Sequence, residues 1–393
     1  MKSRSPHGLH YESLAASGSH YIDLQTGAVV PAIHPSTTFA RDDQYNLINP
    51  AHGYARDKSP TYLAAEQVLS DLENAAECRL FSSGMAAIAS VIQSVGASGH
   101  ILVPDSFYWG VYSWLQSYSA ASGLRLSTYA NAESTSLESV LNGLKQAEDS
   151  PDLVWVETPS NPFLHVTDIR DAADNAHAAG AMLCVDSTAA TPVLTRPLDL
   201  GADLIVHSAT KYLNGHGDAL VGAVLCSSDN AMWQSVLAQR AMAGSVPGNL
   251  EAWLLARGMR TLYVRVRQCC SNAMALAEWL ERQPLVERVH YPGLTTHPSH
   301  AIAKQQMQDG FGGLLSFELK ANKAATLQFA GSLKFIVSAT SLGGTETLIE
   351  HRASVEPPET GVPDNLLRVS VGIERVEDLI EDLQQAYEAT FGR

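Results

Sequence analysis

Between about residues 56 and 250, short runs that are apolar at every position alternate with Ala-rich stretches. The runs are Ile101-Leu102-Val103, Leu153-Val154-Trp155-Val156, Met182-Leu183-Cys184-Val185, Leu204-Ile205-Val206 and Val221 to Cys226. A strand apolar at successive positions is buried on both faces, as in a parallel sheet covered by helices. Helical spacing fills the intervals. Ser59-Pro60 pairs a capping residue with proline at the first helical position, and Tyr62, Ala65, Val68, Leu69 and Leu72 follow at helical periodicity. Asp168 to Gly180 forms a second such stretch. Beyond about 250 the rhythm changes to a long helix over about 264–282. Strand-like segments follow at Leu314–Leu319, Phe335-Ile336-Val337 and Leu366–Val371, and an amphipathic helix closes the chain from Val376 to about Phe391. The expected plan is an irregular, proline-bearing arm (1–55), an α/β domain (56–250) and a smaller α+β domain (251–393). In such parallel sheets a ligand sits outside the carboxyl ends of the strands.

Composition narrows the class. The 393 residues carry 26 Lys and Arg against 41 Asp and Glu, a net charge of −15, with 45% hydrophobic and 17% charged residues. Hydrophobic content of this order excludes disorder. Net acidity argues against nucleic acid and anionic membrane as partners. No apolar run approaches the roughly 18 residues of a membrane span, and the first residues lack the apolar core of a signal peptide. Five cysteines, two of them adjacent, form neither a disulfide framework nor a metal-binding pattern, so no metal and a reduced, cytoplasmic setting are expected. The small charged fraction hints at surface covered by other subunits.

Several motifs fail. Gly215-His216-Gly217-Asp218-Ala219-Leu220 begins as a dinucleotide fingerprint, but it ends in Leu and precedes a strand. There is no Walker sequence and no nucleophile elbow. His207 and His216 read as ordinary histidines. Three features do fall just after predicted strands. Ser82-Ser83-Gly84-Met85-Ala86-Ala87 opens a helix whose free N–H groups can cradle phosphate, although it is equally an ordinary small-residue helix start. Asp186 ends a strand, where it can hold a cationic ring nitrogen or cap a turn. Ser208-Ala209-Thr210-Lys211 brings two hydroxyls and a lysine to the same edge, and a lysine among apolar neighbours can become a nucleophile. Together, a phosphate cradle, a carboxylate and a lysine are what pyridoxal phosphate (PLP) requires.

With Ser208–Asp218, Glu157-Thr158-Pro159-Ser160-Asn161-Pro162 and Ser341-Leu342-Gly343-Gly344, the chain resembles the Cys/Met-metabolism (trans-sulfuration) family of PLP-dependent enzymes from Tyr54 to Glu374. The resemblance implies PLP fold type I, aspartate aminotransferase-like, a mostly parallel sheet flanked by helices plus a smaller α+β domain. It implies that Lys211 is the Schiff-base lysine and proton shuttle, that Asp186 pairs with the pyridinium, and that Tyr108 stacks on the ring. Gly84, Met85, Ser208 and Thr210 would hold the phosphate. Tyr54 and Arg56 would reach the phosphate site of a neighbouring subunit, with Tyr54 a candidate acid. Arg368, Asn161 and Ser341 would bind the substrate α-carboxylate. Sites shared in a dimer, paired into a homotetramer, would explain the arm.

Three positions depart from that pattern. Ser113 stands where members handling cystathionine or succinylhomoserine carry Arg, and Thr340 stands where a distal amino group meets Glu. Asp57 follows Arg56 where a second Arg or a neutral residue is common. A pocket short of a cation and richer in an anion favours a cationic substrate tail. The expected activity is γ-elimination or γ-replacement on a γ-substituted amino acid, such as one with canavanine's guanidino-oxy tail. Cystathionine γ-synthase or acylhomoserine sulfhydrylase activity is the rival. A non-catalytic scaffold is the alternative of another class, disfavoured by intact Lys211, Asp186 and Tyr108.

Overall fold

The computed structural model describes residues 8–133 and 135–392. Residues 1–7 of the arm lie outside the described residues. Two sheets organise the molecule. The larger is built from β1 (Glu77–Phe81), β2 (His100–Pro104), β3 (Arg125–Tyr129), β4 (Leu153–Glu157), β5 (Met182–Asp186), β6 (Leu204–His207) and β7 (Gly222–Cys226). Their order is β1-β7-β6-β5-β4-β2-β3. Only β7 runs against its neighbours. Every other neighbouring pair is parallel, so the carboxyl ends of β1, β2, β4, β5 and β6 share one edge.

Alternate residues of the continuous apolar runs serve opposite faces. Trp155, Cys184, Leu204 and Val206 enter one core with Ile88 and Val91 of the helix Gly84–Ser94. Val154, Val156, Leu183 and Val185 enter another with Ile169, Ala172 and Ala176 of the helix Ile169–Ala178. The strand read at Ile101–Val103 gains β3 as a neighbour. This polar, part-exposed edge strand has no apolar signature.

The smaller sheet comprises β8 (Val286–His290), β9 (Leu314–Leu319), β10 (Val337–Ser338), β11 (Leu348–His351) and β12 (Leu366–Ser370), in the order β10-β11-β12-β9-β8. The helix Leu262–Glu281 joins the two bodies: Cys269 and Cys270 pack in the core of the large sheet, Ala273, Leu276 and Leu280 in that of the small one.

Three expectations need correction. Phe335-Ile336-Val337 is not a strand. The Asp382 carboxylate accepts the N–H groups of Lys334, Phe335 and Ile336, so pairing begins only at Val337. The arm is not wholly irregular, since Tyr11–Ser17 forms a helix that buries Tyr11, Leu14 and Ala15. The long helix starts at Leu262 rather than 264. All five cysteines are free and buried. Among the described residues no helix is long and apolar enough to cross a membrane.

Candidate active site

A cavity of about 230 Å³ lies where the strand ends of the large sheet meet the small sheet. Its floor comes from consecutive residues at those ends. After β1, Ser83 caps the helix Gly84–Ser94, its hydroxyl accepting the Ala86 N–H at 3.1 Å. The N–H groups of Gly84 and Met85 lack intrahelical acceptors, as at every helix start, and serve an anion. The cradle is tight. A Cβ on Gly84 would meet the Ser208 Cβ at 2.7 Å, and one on Gly222 would meet the Ser83 carbonyl oxygen at 2.1 Å.

β5 and β6 supply the rest of the floor. Asp186 is buried at the end of β5, and its Oδ1 accepts the Thr188 N–H at 3.0 Å. The Thr188 hydroxyl in turn accepts the Ser208 N–H at 2.8 Å. Burial pushes the Asp186 carboxyl up, while Thr188 and His207 work against it. A cationic ring nitrogen is the partner that favours the ionised form of such a group. The Lys211 Nζ donates to the Ser341 Oγ at 2.9 Å. Burial and then Arg368 lower the ammonium's pKa, which suits a nucleophilic amine. The donor set and the glycine-lined cradle therefore fit PLP.

Above the floor, Glu157 organises two neighbours at once. It faces Asp186 across β4 and β5, its Oε2 accepting the Tyr108 N–H at 2.9 Å and its Oε1 the Asn161 N–H at 3.0 Å. Burial and the Asp186 charge push its carboxyl up.

The far wall belongs to the small sheet. Arg368 on β12 is 3% exposed; its Nη1 donates to the Asn161 Oδ1 at 3.3 Å and its Nη2 to the Ser341 carbonyl at 3.0 Å. Ser341 sits at φ 121°, a conformation a side chain rarely adopts and one that tends to persist at functional sites. On its carboxyl side the Gly343 backbone, at φ 80°, approaches Tyr212 so closely that a Cβ would meet the Tyr212 nitrogen at 2.6 Å. Burial lowers the Arg368 guanidinium to about 10, partly offset by Glu350.

The structure thus brings Lys211, Asp186, Tyr108, Gly84, Met85, Ser208, Thr210, Asn161, Ser341, Thr340 and Arg368 to one cavity. It does not bring in Ser113. The helix Trp109–Ser122 buries Val111 and Leu115 and leaves Ser113 exposed. Tyr54, Arg56 and Asp57 also lie off this chain's own cavity: Tyr54 is 43% exposed, Arg56 stacks on its ring at 5.1 Å, and Asp57 is exposed.

The sequence reading missed Glu157, Thr188, Glu350 and Arg352. Arg352 lines the pocket but is not free of acids, its Nη1 and Nη2 donating to Glu350 and Glu356. Thr340 is likewise not free of an acid: its hydroxyl donates to the Glu350 Oε1 at 2.6 Å. A second cavity of about 270 Å³ shares Asn161 with the first. Its lining includes Phe107, Trp109 and Tyr112 with the carboxylates of Asp105, Glu356 and Glu359 and, among the described residues, no Lys or Arg.

Comparison with known proteins agrees with this geometry. The chain is 34% identical over 386 residues to a cystathionine beta-lyase of Coxiella burnetii, covering 96% of this chain and 97% of the relative. It is 38% identical over 373 residues to a cystathionine gamma-lyase of Dictyostelium discoideum, covering 93% and 94%. The crystal structure of cystathionine gamma synthase from Xanthomonas oryzae pv. oryzae, in complex with aminoacrylate and cysteine, superposes with a TM-score of 0.90 at 37% identity, covering 98% of this chain and all of that one. The family described as Cys/Met metabolism PLP-dependent enzyme matches residues 12–388, and the chain belongs to that family: it is an enzyme whose cofactor is pyridoxal phosphate.

Proposed function

We propose that this enzyme carries out γ-elimination or γ-replacement on a γ-substituted L-amino acid with a cationic tail, of which canavanine is an example. Bound PLP supplies an electron sink for negative charge developing at the substrate's α-carbon. The protein's own groups do the rest. Gly84, Met85, Ser208 and Thr210 would hold the phosphate, Asp186 would hold the ring nitrogen, and Tyr108 would cover the ring. Arg368, Asn161 and Ser341 fix the α-carboxylate, which sets the Cα–H bond toward Lys211. The Lys211 amine would take the proton from Cα, pass it on and, neutral again, take one from Cβ. Tyr108, or Tyr54 of a neighbouring subunit, protonates the leaving γ-substituent.

The observation that carries the cationic tail is the second cavity. Aromatic faces with the carboxylates of Asp105 and Glu359 favour a positive group, and the cavity meets the catalytic pocket at Asn161, beside the site assigned to the α-carboxylate. Assembly is part of the proposal: a homotetramer, as a dimer of dimers in the cytoplasm. In it the arm (1–55) of one subunit and its Tyr54, Arg56 and Asp57 complete a neighbour's site, between a cofactor domain (56–250) and a C-terminal domain (251–393).

The relatives named cystathionine beta-lyase, gamma-lyase and gamma synthase favour a second reading, turnover of cystathionine or its synthesis from an acylhomoserine. A panel of γ-substituted amino acids, scored by released product, separates the two. Faster turnover of the cationic member supports the proposal. Faster turnover of cystathionine, or thioether formation from an acylhomoserine and cysteine, overturns it.

A further inference from the structure

We propose that Arg352 is a positioning residue for the α-carboxylate site, drawing off the charge of Glu350 so that Arg368 stays available to the substrate. This rests on the assignment of the substrate α-carboxylate to Arg368. Glu350 and Arg368 are directly opposed residues of β11 and β12. That register alone would close them into a one-to-one ion pair, and a guanidinium fully neutralised by its own carboxylate has little attraction left for a second one.

The structure divides Glu350 among three donors instead. Its Oε1 accepts from the Thr340 hydroxyl at 2.6 Å. Its Oε2 is shared between the Arg368 Nη2 at 2.6 Å and the Arg352 Nη1 at 2.5 Å. The other Arg352 nitrogen, Nη2, is anchored on Glu356. The side chains of Glu350, Arg352 and Arg368 are each no more than 5% exposed, so water does not screen them. Arginine cannot shed its proton, so the pull of Arg352 on Glu350 is permanent. Arg352 lines the catalytic pocket, yet both its terminal nitrogens are committed to carboxylates, which makes it a support for Arg368 rather than a ligand for substrate.

The sign of each substitution follows. Without Arg352, the charge of Glu350 falls wholly on Arg368 and competes with the substrate. Without the charge of Glu350 as well, there is no competitor. The test uses the holoenzyme and two probes read through the visible absorption of the bound cofactor: L-2-aminobutyrate, which has the α-carboxylate, and propylamine, which lacks it. Arg352→Met is expected to weaken 2-aminobutyrate about 10- to 100-fold, within the range of coupling between contacting residues of one network, and to leave propylamine within about 3-fold. Glu350→Gln alone stays near wild type, because the amide still accepts from Arg368. Adding Glu350→Gln to Arg352→Met restores binding to within about 3-fold of Glu350→Gln, where independent structural damage would accumulate.

Wild-type affinity in Arg352→Met overturns the proposal. So does a double variant no better than Arg352→Met, or equal weakening of both probes. If Arg352→Met does not fold, Arg352→Lys serves. It keeps the charge but not the two-sided fork, and a few-fold loss reversed by Glu350→Gln is expected, whereas no loss overturns the proposal. Arg368→Met separates the two levels. If it leaves 2-aminobutyrate unaffected, the assignment of Arg368 falls and this proposal with it. If it weakens 2-aminobutyrate while the Arg352 variants do not, only the role of Arg352 falls.

Discussion

The floor of the pocket and its far wall are built by different means. On the floor, short contiguous segments at the strand ends deliver each group: Ser83–Met85 after β1, Asp186 with Thr188 after β5, and Ser208–Lys211 after β6. Backbone geometry places them. On the far wall, position depends on charge balance among side chains, where Thr340, Glu350, Arg352, Glu356 and Arg368 satisfy one another. The floor is therefore vulnerable to the loss of a single group or of space. The wall responds to the loss of a partner, and compensation within it is possible.

The largest effect expected from this contrast is at Lys211. Lys211→Ala removes the amine proposed both to anchor the cofactor and to act as the base, so turnover should fall by about 10³-fold or more, with loss of the cofactor's visible absorption and an unchanged circular-dichroism spectrum. Activity within tenfold of wild type would break the picture of the floor. Next comes space. Gly222→Ala forces a methyl into the Ser83 carbonyl, which is backbone and cannot swing away. Overpacking of this kind costs about 1–3 kcal/mol. Because the strain falls on the phosphate cradle, it should appear as roughly 10- to 100-fold weaker cofactor retention, measured as PLP content after dialysis.

Glu157 tests the boundary between the two regions. Glu157→Gln keeps size and one oxygen, so only one of the Tyr108 and Asn161 N–H groups retains its acceptor. A buried N–H left without its acceptor costs about 1–3 kcal/mol, so kcat/KM should fall about 10-fold or somewhat more while PLP content holds. A fall in PLP content instead would assign Glu157 to the floor alone.

The same contrast explains what could be read from the amino acids. Asp186 was legible because it ends an unbroken apolar run and Lys211 because its segment, Ser208–Lys211, follows another, and the parallel-sheet rule then fixes the edge they occupy. Glu350 and Arg352 were not, because β11 reads Leu-Ile-Glu-His, too short and too little alternating to announce a strand, and their importance appears only when β12 is laid beside it. Ser113 stands five residues after Tyr108, where the resemblance places a pocket residue, but the helix Trp109–Ser122 turns it to solvent. The second cavity was illegible for the same reason as the wall, since Trp109 and Tyr112 meet Glu356 and Glu359 only in the folded chain.

The smallest expected effect concerns the support of Asn161, the residue shared by both cavities. Behind its loop lie His165, His290 and His297, with Phe163 between them; His290 is paired with Glu318 and His165 feels Asp105. The neutral form of His297 fits its surroundings, because Nδ1 accepts the Ser299 N–H at 3.2 Å and Nε2 faces the Phe163 carbonyl at 3.3 Å. Protonation would turn Nδ1 into a donor opposite a donor. Burial lowers His297 to about 4, and the neighbouring His165, His290 and His300 push the same way. A histidine depressed in the folded state contributes stability that is fully present above its unfolded value near 6.5 and is lost as pH falls from there toward about 4. The melting temperature should therefore decline across that window by a few degrees, on the order of 2–4 °C per kcal/mol for a protein of a few hundred residues or fewer. His297→Asn, which retains a short acceptor and donor but does not titrate, should flatten the decline. Binding of 2-aminobutyrate, which depends on Asn161, should weaken over the same window in wild type and less in the variant. An unchanged slope in His297→Asn would move the acid sensitivity elsewhere and leave the far wall indifferent to the histidines behind it.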